Sequence, residues 1–112
     1  GLLRRRGATA AVLHGDVDAL MLVQQLADAG VRVPEDCSVV AYDDVVAALG
    51  STPLTAVAPP KTEVGRQAAR LLLARLGAAG GGSGATGGAV CRLRLLPELK
   101  VRGSTREAQT AD

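Results

Sequence analysis

A chain of 112 residues has room for one compact unit, and not for a core plus a separate nucleic-acid-reading module. Its apolar residues, 47% of the total, are nearly all Ala, Val and Leu, with no Phe or Trp and Tyr42 as the one aromatic. That composition favours helices and buried strands and leaves almost no stacking platform on which bases or sugar rings could rest. A formal net charge of +2 is too small to hold a nucleic acid backbone unless it is clustered, and the one tight basic run, Arg4-Arg5-Arg6, reads as a solvated N-terminal segment over residues 1–7.

Residues 9–13, Thr-Ala-Ala-Val-Leu, form a short continuous apolar run that suits a strand buried on both faces. It ends at His14-Gly15-Asp16, where a helix is expected: Ala19, Leu20, Val23, Leu26 and Ala27 recur at helical spacing, Asp16 is placed to cap the start, and Gly30 to end it. Pro34 makes residues 31–36 a connector. A second strand is expected over residues 37–42, stopping at Asp43-Asp44. A short helix over 45–49, a turn over 50–53 and a third strand over 54–58 follow.

Pro59-Pro60 introduces the longest predicted helix, residues 62–76, with Val64, Ala68, Leu71 and Leu72 as its apolar stripe. Residues 77–88 are Gly, Ala and Ser in the main and read as a flexible loop. Residues 90–96 and 99–102 alternate apolar with basic positions around Pro97, as a pair of extended segments at a sheet edge would. A disordered tail is expected from 106 to 112. The body of the domain thus runs from 8 to 105. Cys37 and Cys91 both sit in apolar strand-like segments and read as free, buried thiols of a reduced, cytoplasmic protein. No signal peptide and no membrane-length apolar run can be drawn.

Strands alternating with helices predict an α/β fold, a mainly parallel sheet with flanking helices. Ligands of such sheets bind beyond the carboxyl ends of the strands, where Asp16 and Asp43-Asp44 fall. These carboxylates could accept hydrogen bonds from ligand hydroxyls, hold a hard cation, or do acid–base work. Asp16 and Asp44 can equally be helix caps, whereas Asp43 has no capping task. No cofactor or metal is expected, because His14 is the only histidine and the cysteines lack ligand spacing. Ser38, Ser51 and Thr55 lack the Gly-flanked elbow of a catalytic nucleophile. The run Gly80-Gly81-Gly82-Ser83-Gly84 follows a helix, the reverse of a phosphate loop. An enzyme is therefore not expected.

Five segments in order resemble the effector domain of LacI/GalR (lactose-repressor) family transcriptional regulators: residues 9–16, ending at Gly15-Asp16; residues 29–44, running from Ala29-Gly30 through Pro34 to Tyr42-Asp43-Asp44; Thr52-Pro53-Leu54-Thr55; the helix opened by Pro60 with Gly65-Arg66; and the terminal Leu95-Leu96-Pro97-Glu98-Leu99 to Arg102-Gly103-Ser104-Thr105. The resemblance implies a partial periplasmic-binding-protein-like (type I) subdomain of a cytoplasmic regulator, in which a small effector, usually a sugar or nucleobase, is clamped between two subdomains. The clamp's angle sets how a homodimer presents its reading heads to operator DNA. On the matching positions Asp43 would hydrogen-bond the effector, Tyr42 and Asp16 would line or support the pocket, and Gly15 stands where the family carries an effector-binding Asn. Leu20 and Gln24 would lie in the dimer interface. The family's DNA-binding head and most of its first subdomain have no counterpart here, so operator contact is expected only through a missing N-terminal domain. Two other readings share the pattern: the sugar receptor of an uptake system, and a small enzyme using Asp43-Asp44 with a divalent cation to handle phosphate.

Overall fold

The computed structural model describes residues 2–79 and 90–108. Its elements run α1 (Leu2–Arg5), β1 (Ala10–Leu13), α2 (Asp16–Asp28), β2 (Ser38–Tyr42), β3 (Thr55–Ala58), α3 (Lys61–Ala79) and β4 (Glu98–Lys100). They form two compact units, residues 1–59 with 97–112, and residues 60–96.

The first unit is built on a four-stranded sheet in the order β1-β2-β3-β4. β1, β2 and β3 are parallel, in a register that sets Leu13 beside Ala41 and Ala41 beside Ala56, and β4 closes the edge antiparallel to β3. The sheet is thus mainly parallel, as the alternation of elements predicts. Because side chains alternate along a strand, the register gathers Ala11, Leu13, Val39, Ala41 and Ala56 on one face. Against that face packs α2, through Ala19, Leu20, Val23 and Leu26. The buried centre is Ala19, Val39, Ala41, Ala47, Leu54 and Ala56. With alanine at most of these positions the helix lies close on the sheet, and Leu54 is the largest side chain wholly enclosed.

The opposite face is less covered, contrary to the expectation of a first strand buried on both sides. Val12 is 76% exposed, because β1 is an edge strand with one neighbour and α2 covers only its Ala11 and Leu13 side. The helix ends where expected. Gly30, at φ 73°, takes the left-handed turn that L side chains resist, and the Gly30 and Val31 N–H groups donate back to the carbonyls of Ala27 and Leu26. The connector after it turns at residues 33–36, where the Val33-Pro34 peptide is cis and Asp36 grips Arg32 through both its side chain and its N–H.

The C-terminal stretch is stitched back into the sheet. Ser104, wholly buried, donates its hydroxyl to the Val39 carbonyl at 2.5 Å and accepts the Thr55 N–H at 2.8 Å, while its carbonyl accepts the Val39 N–H. Thr105 and Thr55 share a hydroxyl hydrogen bond of 2.7 Å. These bonds supply β2 and β3 with partners that neighbouring strands do not provide.

Several sequence expectations need correction. The short helix over 45–49 is absent: the Leu49 N–H closes one turn onto the Val46 carbonyl, but the Ala47 carbonyl accepts the Leu54 N–H and the helix cannot propagate. Residues 90–96 form no strand, and of the two extended segments expected there only β4 pairs. Cys91 in consequence is exposed, whereas Cys37 is buried, with its thiol pushed up by desolvation. The N-terminal basic run includes one helical turn, α1, where a plain solvated segment was expected.

In the second unit the helix expected over 62–76 runs Lys61–Ala79, so Gly77 is helical. The remainder of the Gly-rich loop, residues 80–88, lies outside the described residues, as do residue 89 and residues 109–112 of the tail. On α3, Glu63 accepts hydrogen bonds from Arg66 and, at 2.7 Å, from Gln67, pairs that stabilise a helix three and four residues apart. Its predicted apolar stripe, Val64, Ala68, Leu71 and Leu72, is exposed.

Candidate functional site

Parallel pairing of β1 with β2 brings their carboxyl ends side by side, and with them the residues that the sequence singled out. The His14 and Tyr42 rings stack at 6.4 Å between centroids, 24° from parallel, at the carboxyl ends of the two strands. Tyr42 is 45% exposed. Gly15 follows His14 in extended geometry at φ −141° and leads into α2.

Asp16 lies next, but its carboxylate is turned inward. It is 5% exposed, and its oxygens accept the N–H groups of Val17 at 3.0 Å, Val45 at 2.8 Å and Val46 at 2.6 Å. Burial alone would raise its pKa; the Val46, Val45 and Val17 donors outweigh it and hold the carboxyl below its ordinary value. Asp16 therefore braces the turn after β2 and is not the N-cap of α2, a position held by Gly15 without a side-chain bond.

Asp43 occupies that turn. Its backbone has φ 96°, in the left-handed region that a non-glycine residue adopts at a cost of about 1–3 kcal/mol. Its N–H donates to the Val57 carbonyl at 2.9 Å, and its Oδ1 accepts the Asp44 N–H at 3.1 Å. Such strain persists where the surroundings fix it, and here they do at each step of residues 43–46.

Asp44, expected as a helix cap, instead takes a two-pronged hydrogen bond from Arg102, at 2.7 and 2.9 Å, with Lys100 Nζ at 3.9 Å. Arg102 also donates to the Leu54 carbonyl at 2.9 Å. Hydrogen bonding to Arg102 holds the Asp44 carboxyl below its usual range, burial opposing. Arg102 and Lys100 were not singled out in the sequence, because nothing local marks a basic residue in or just after an edge strand as the partner of an aspartate more than 50 positions earlier. Among the described residues no cluster of three or more His, Cys, Asp or Glu could hold a metal ion. No described helix is long and apolar enough to cross a membrane.

The two braced carboxylates set an acid limit on the fold. Asp16 and Asp44 have folded pKa values below the unfolded ones, so their contribution is complete above the unfolded carboxylate range, near pH 4, and is lost as pH falls through the folded values. Thermal melts are expected to be level with respect to these groups from pH 8 to about 5 and to fall below that. A melting temperature that rose on acidification from pH 5 to 3 would contradict the assignment.

On α2, Leu20 is half-buried and packs on the core, close enough to Gly50 that a Cβ there would meet Leu20 Cδ2 at 2.7 Å. Gln24 is exposed and donates to Asp28 at 3.0 Å. The large outward apolar residues of this helix are Val17 and Met21, one turn apart, which sequence reading passed over although they lie in line with Gln24 at helical spacing. Leu20, Val23 and Gln24, with residues 49–52, border an open groove of about 170 Å³.

A mainly parallel sheet with polar groups gathered at its strand ends, and a strained aspartate among them, is the geometry in which open α/β sheets bind ligands. The sequence profile of the periplasmic binding protein-like domain matches residues 2–105. The HTH-type transcriptional repressor CytR of Escherichia coli (strain K12) is 39% identical over 100 residues, which are 88% of this chain and 27% of that protein. Among solved structures, the transcriptional regulator CelR in its cellobiose complex superposes with a TM-score of 0.77 at 36% identity, over 92% of this chain and 30% of that one. A LacI family transcriptional regulator from Enterococcus faecium with bound ribose gives 0.77 at 30% identity, over 93% and 37%. The chain belongs to the LacI/GalR family of transcriptional regulators and matches its effector domain. It spans about a quarter of the length of the curated relatives that it matches.

Proposed function

We propose that this chain forms one jaw of the effector clamp of a cytoplasmic, non-enzymatic transcriptional regulator, and that Asp43 is the carboxylate by which it holds a small polyhydroxylated effector. The observation that carries the reading is the backbone of Asp43, kept at φ 96° beyond the end of β2 by bonds on either side. A fixed carboxylate is a strong acceptor for ligand hydroxyls or amines, and a rigid one loses little freedom on binding. Tyr42 and Gly15 would line the same pocket, and Asp16 would support it from below. The relatives' bound cellobiose and ribose point to a sugar or a sugar-like molecule. The remaining length of a full regulator would supply the opposing jaw and the operator-reading head. A homodimer would use the outer face of α2, where Val17 and Met21 are exposed beside Gln24 and the half-buried Leu20.

Isothermal titration of the full-length protein with ribose, cellobiose and free nucleobases tests the reading. A saturable heat is expected with at least one of them, and Asp43→Asn should weaken it by at least about tenfold, the worth of one hydrogen bond to a charged group. Full-length protein that binds neither any of these nor any operator would overturn it.

A further inference from the structure

We propose that Arg102 is a positioning residue for the effector site: through its two-pronged grip on Asp44 it keeps the turn over residues 43–46 in the form that projects Asp43 beyond β2. The inference rests on the reading of Asp43 as the effector carboxylate. Two anchors bracket that residue. On one side its N–H is tied to the Val57 carbonyl at 2.9 Å; on the other, the next side chain is tied to Arg102 at 2.7 and 2.9 Å. Between them lie the two torsions of Asp43 and the short path to the Asp44 carboxylate, and tying both ends favours φ at 96° against the residue's own preference.

The Asp16 brace on the Val45 and Val46 N–H groups stops the turn from moving as a body. It acts two residues further on, however, and the Asp43–Asp44 peptide between is held from within the turn by the Asp44 N–H donated to Asp43 Oδ1. Arg102 adds a hold from outside the turn, on the Asp44 side chain. It is itself tied down, with its N–H donated to Thr55 Oγ1 at 3.0 Å and its guanidinium also donated to the Leu54 carbonyl at 2.9 Å, so the Asp44 anchor is referred to the start of β3. The pair is partly accessible, at 21% and 15% side-chain exposure, beside the turn and not in the apolar centre. A flat guanidinium fork fits a carboxylate at both oxygens, which an ammonium cannot do, so lysine in this place keeps the charge and loses the geometry.

The test uses the full-length protein, isotopically labelled, titrated with ribose and with cellobiose, and compares Arg102→Lys, Asp44→Asn, Arg102→Ala and Asp43→Asn. Arg102→Lys and Asp44→Asn are expected to keep a cooperative melt close to that of the unsubstituted protein. They should weaken sugar binding by about tenfold or more, since a small misplacement of a binding group costs that much. Arg102→Ala should weaken it further, with lysine as a partial rescue. In the same samples the Asp43 amide coupling and Cα shift should leave the values of a positive φ, a change that loss of overall stability would not by itself produce. Where Arg102→Ala does not fold, the lysine and Asp44→Asn variants carry the test.

The positioning role is overturned if Asp43→Asn abolishes binding while Arg102→Lys and Asp44→Asn bind as before, or if the Asp43 backbone signature survives in both. If Asp43→Asn binds both sugars as tightly as the unsubstituted protein, the effector reading itself fails, and the role inferred for Arg102 falls with it. The backbone signature still shows whether the arginine sets the turn.

Discussion

Replacing Asp16 with alanine is expected to lower the unfolding free energy by about 3 kcal/mol, and replacing it with asparagine by about half as much. The carboxylate is nearly enclosed and satisfies three backbone N–H groups, two of them from a turn 29 and 30 residues later. A hydrogen bond to a charged acceptor contributes about 1.5–3 kcal/mol, and a donor left unpaired in a buried place costs about 1–3 kcal/mol. The total stays below the simple sum, because bonds converging on one oxygen are not additive and water can reach part of the vacated space. Asparagine keeps an acceptor for one or two of the donors but loses the charge and turns an amide N–H₂ toward a site built for oxygens. Urea unfolding at pH 7 should show the midpoint falling with an unchanged slope; an unmoved midpoint for the alanine variant would mean that the turn finds its partners elsewhere.

Ser104→Val is expected to be at least as damaging, at about 3–5 kcal/mol. The serine hydroxyl joins β2 to β3 by donating to the Val39 carbonyl and accepting the Thr55 N–H, with no exposure to solvent. Valine leaves both backbone groups unpaired and adds methyl bulk in a space filled by a single oxygen. The two penalties can be separated. Ser104→Ala removes the bonds without the bulk and should cost about 2 kcal/mol, while Ser104→Thr keeps the hydroxyl and tests the bulk alone. Equal losses for alanine and valine would show that crowding contributes nothing.

What could be read from the sequence was local. The run Ala10–Leu13, the helical spacing from Ala19 to Ala27 and the stop at Gly30 each declare themselves within a few residues, and β1, α2 and the left-handed turn follow them. The strand ends come together because parallel neighbours must, and so Asp43 could be located before any coordinates were known. What escaped reading was non-local. Asp16 looks like a cap when only its neighbours are considered, yet it is committed to Val45 and Val46. Asp44 likewise looks like a cap until Arg102 reaches it across β3. The helix expected over 45–49 failed for the same kind of reason, as its propagating carbonyl at Ala47 is taken by Leu54. The exposure of Val12 depends on which strand lies at the edge, which no periodicity reports.

The stitching of residues 102–105 into the sheet has a consequence for how the protein is made. Its bonds join partners 47 to 65 positions apart, so the parallel strands cannot acquire their last partners until residues 102–105 have left the ribosome. Until then Val39 and Thr55 hold unpaired amide groups. Commitment of the sheet is thereby deferred until residues 102–105 have been made, and a chain that stops before them lacks the staple on which its sheet depends.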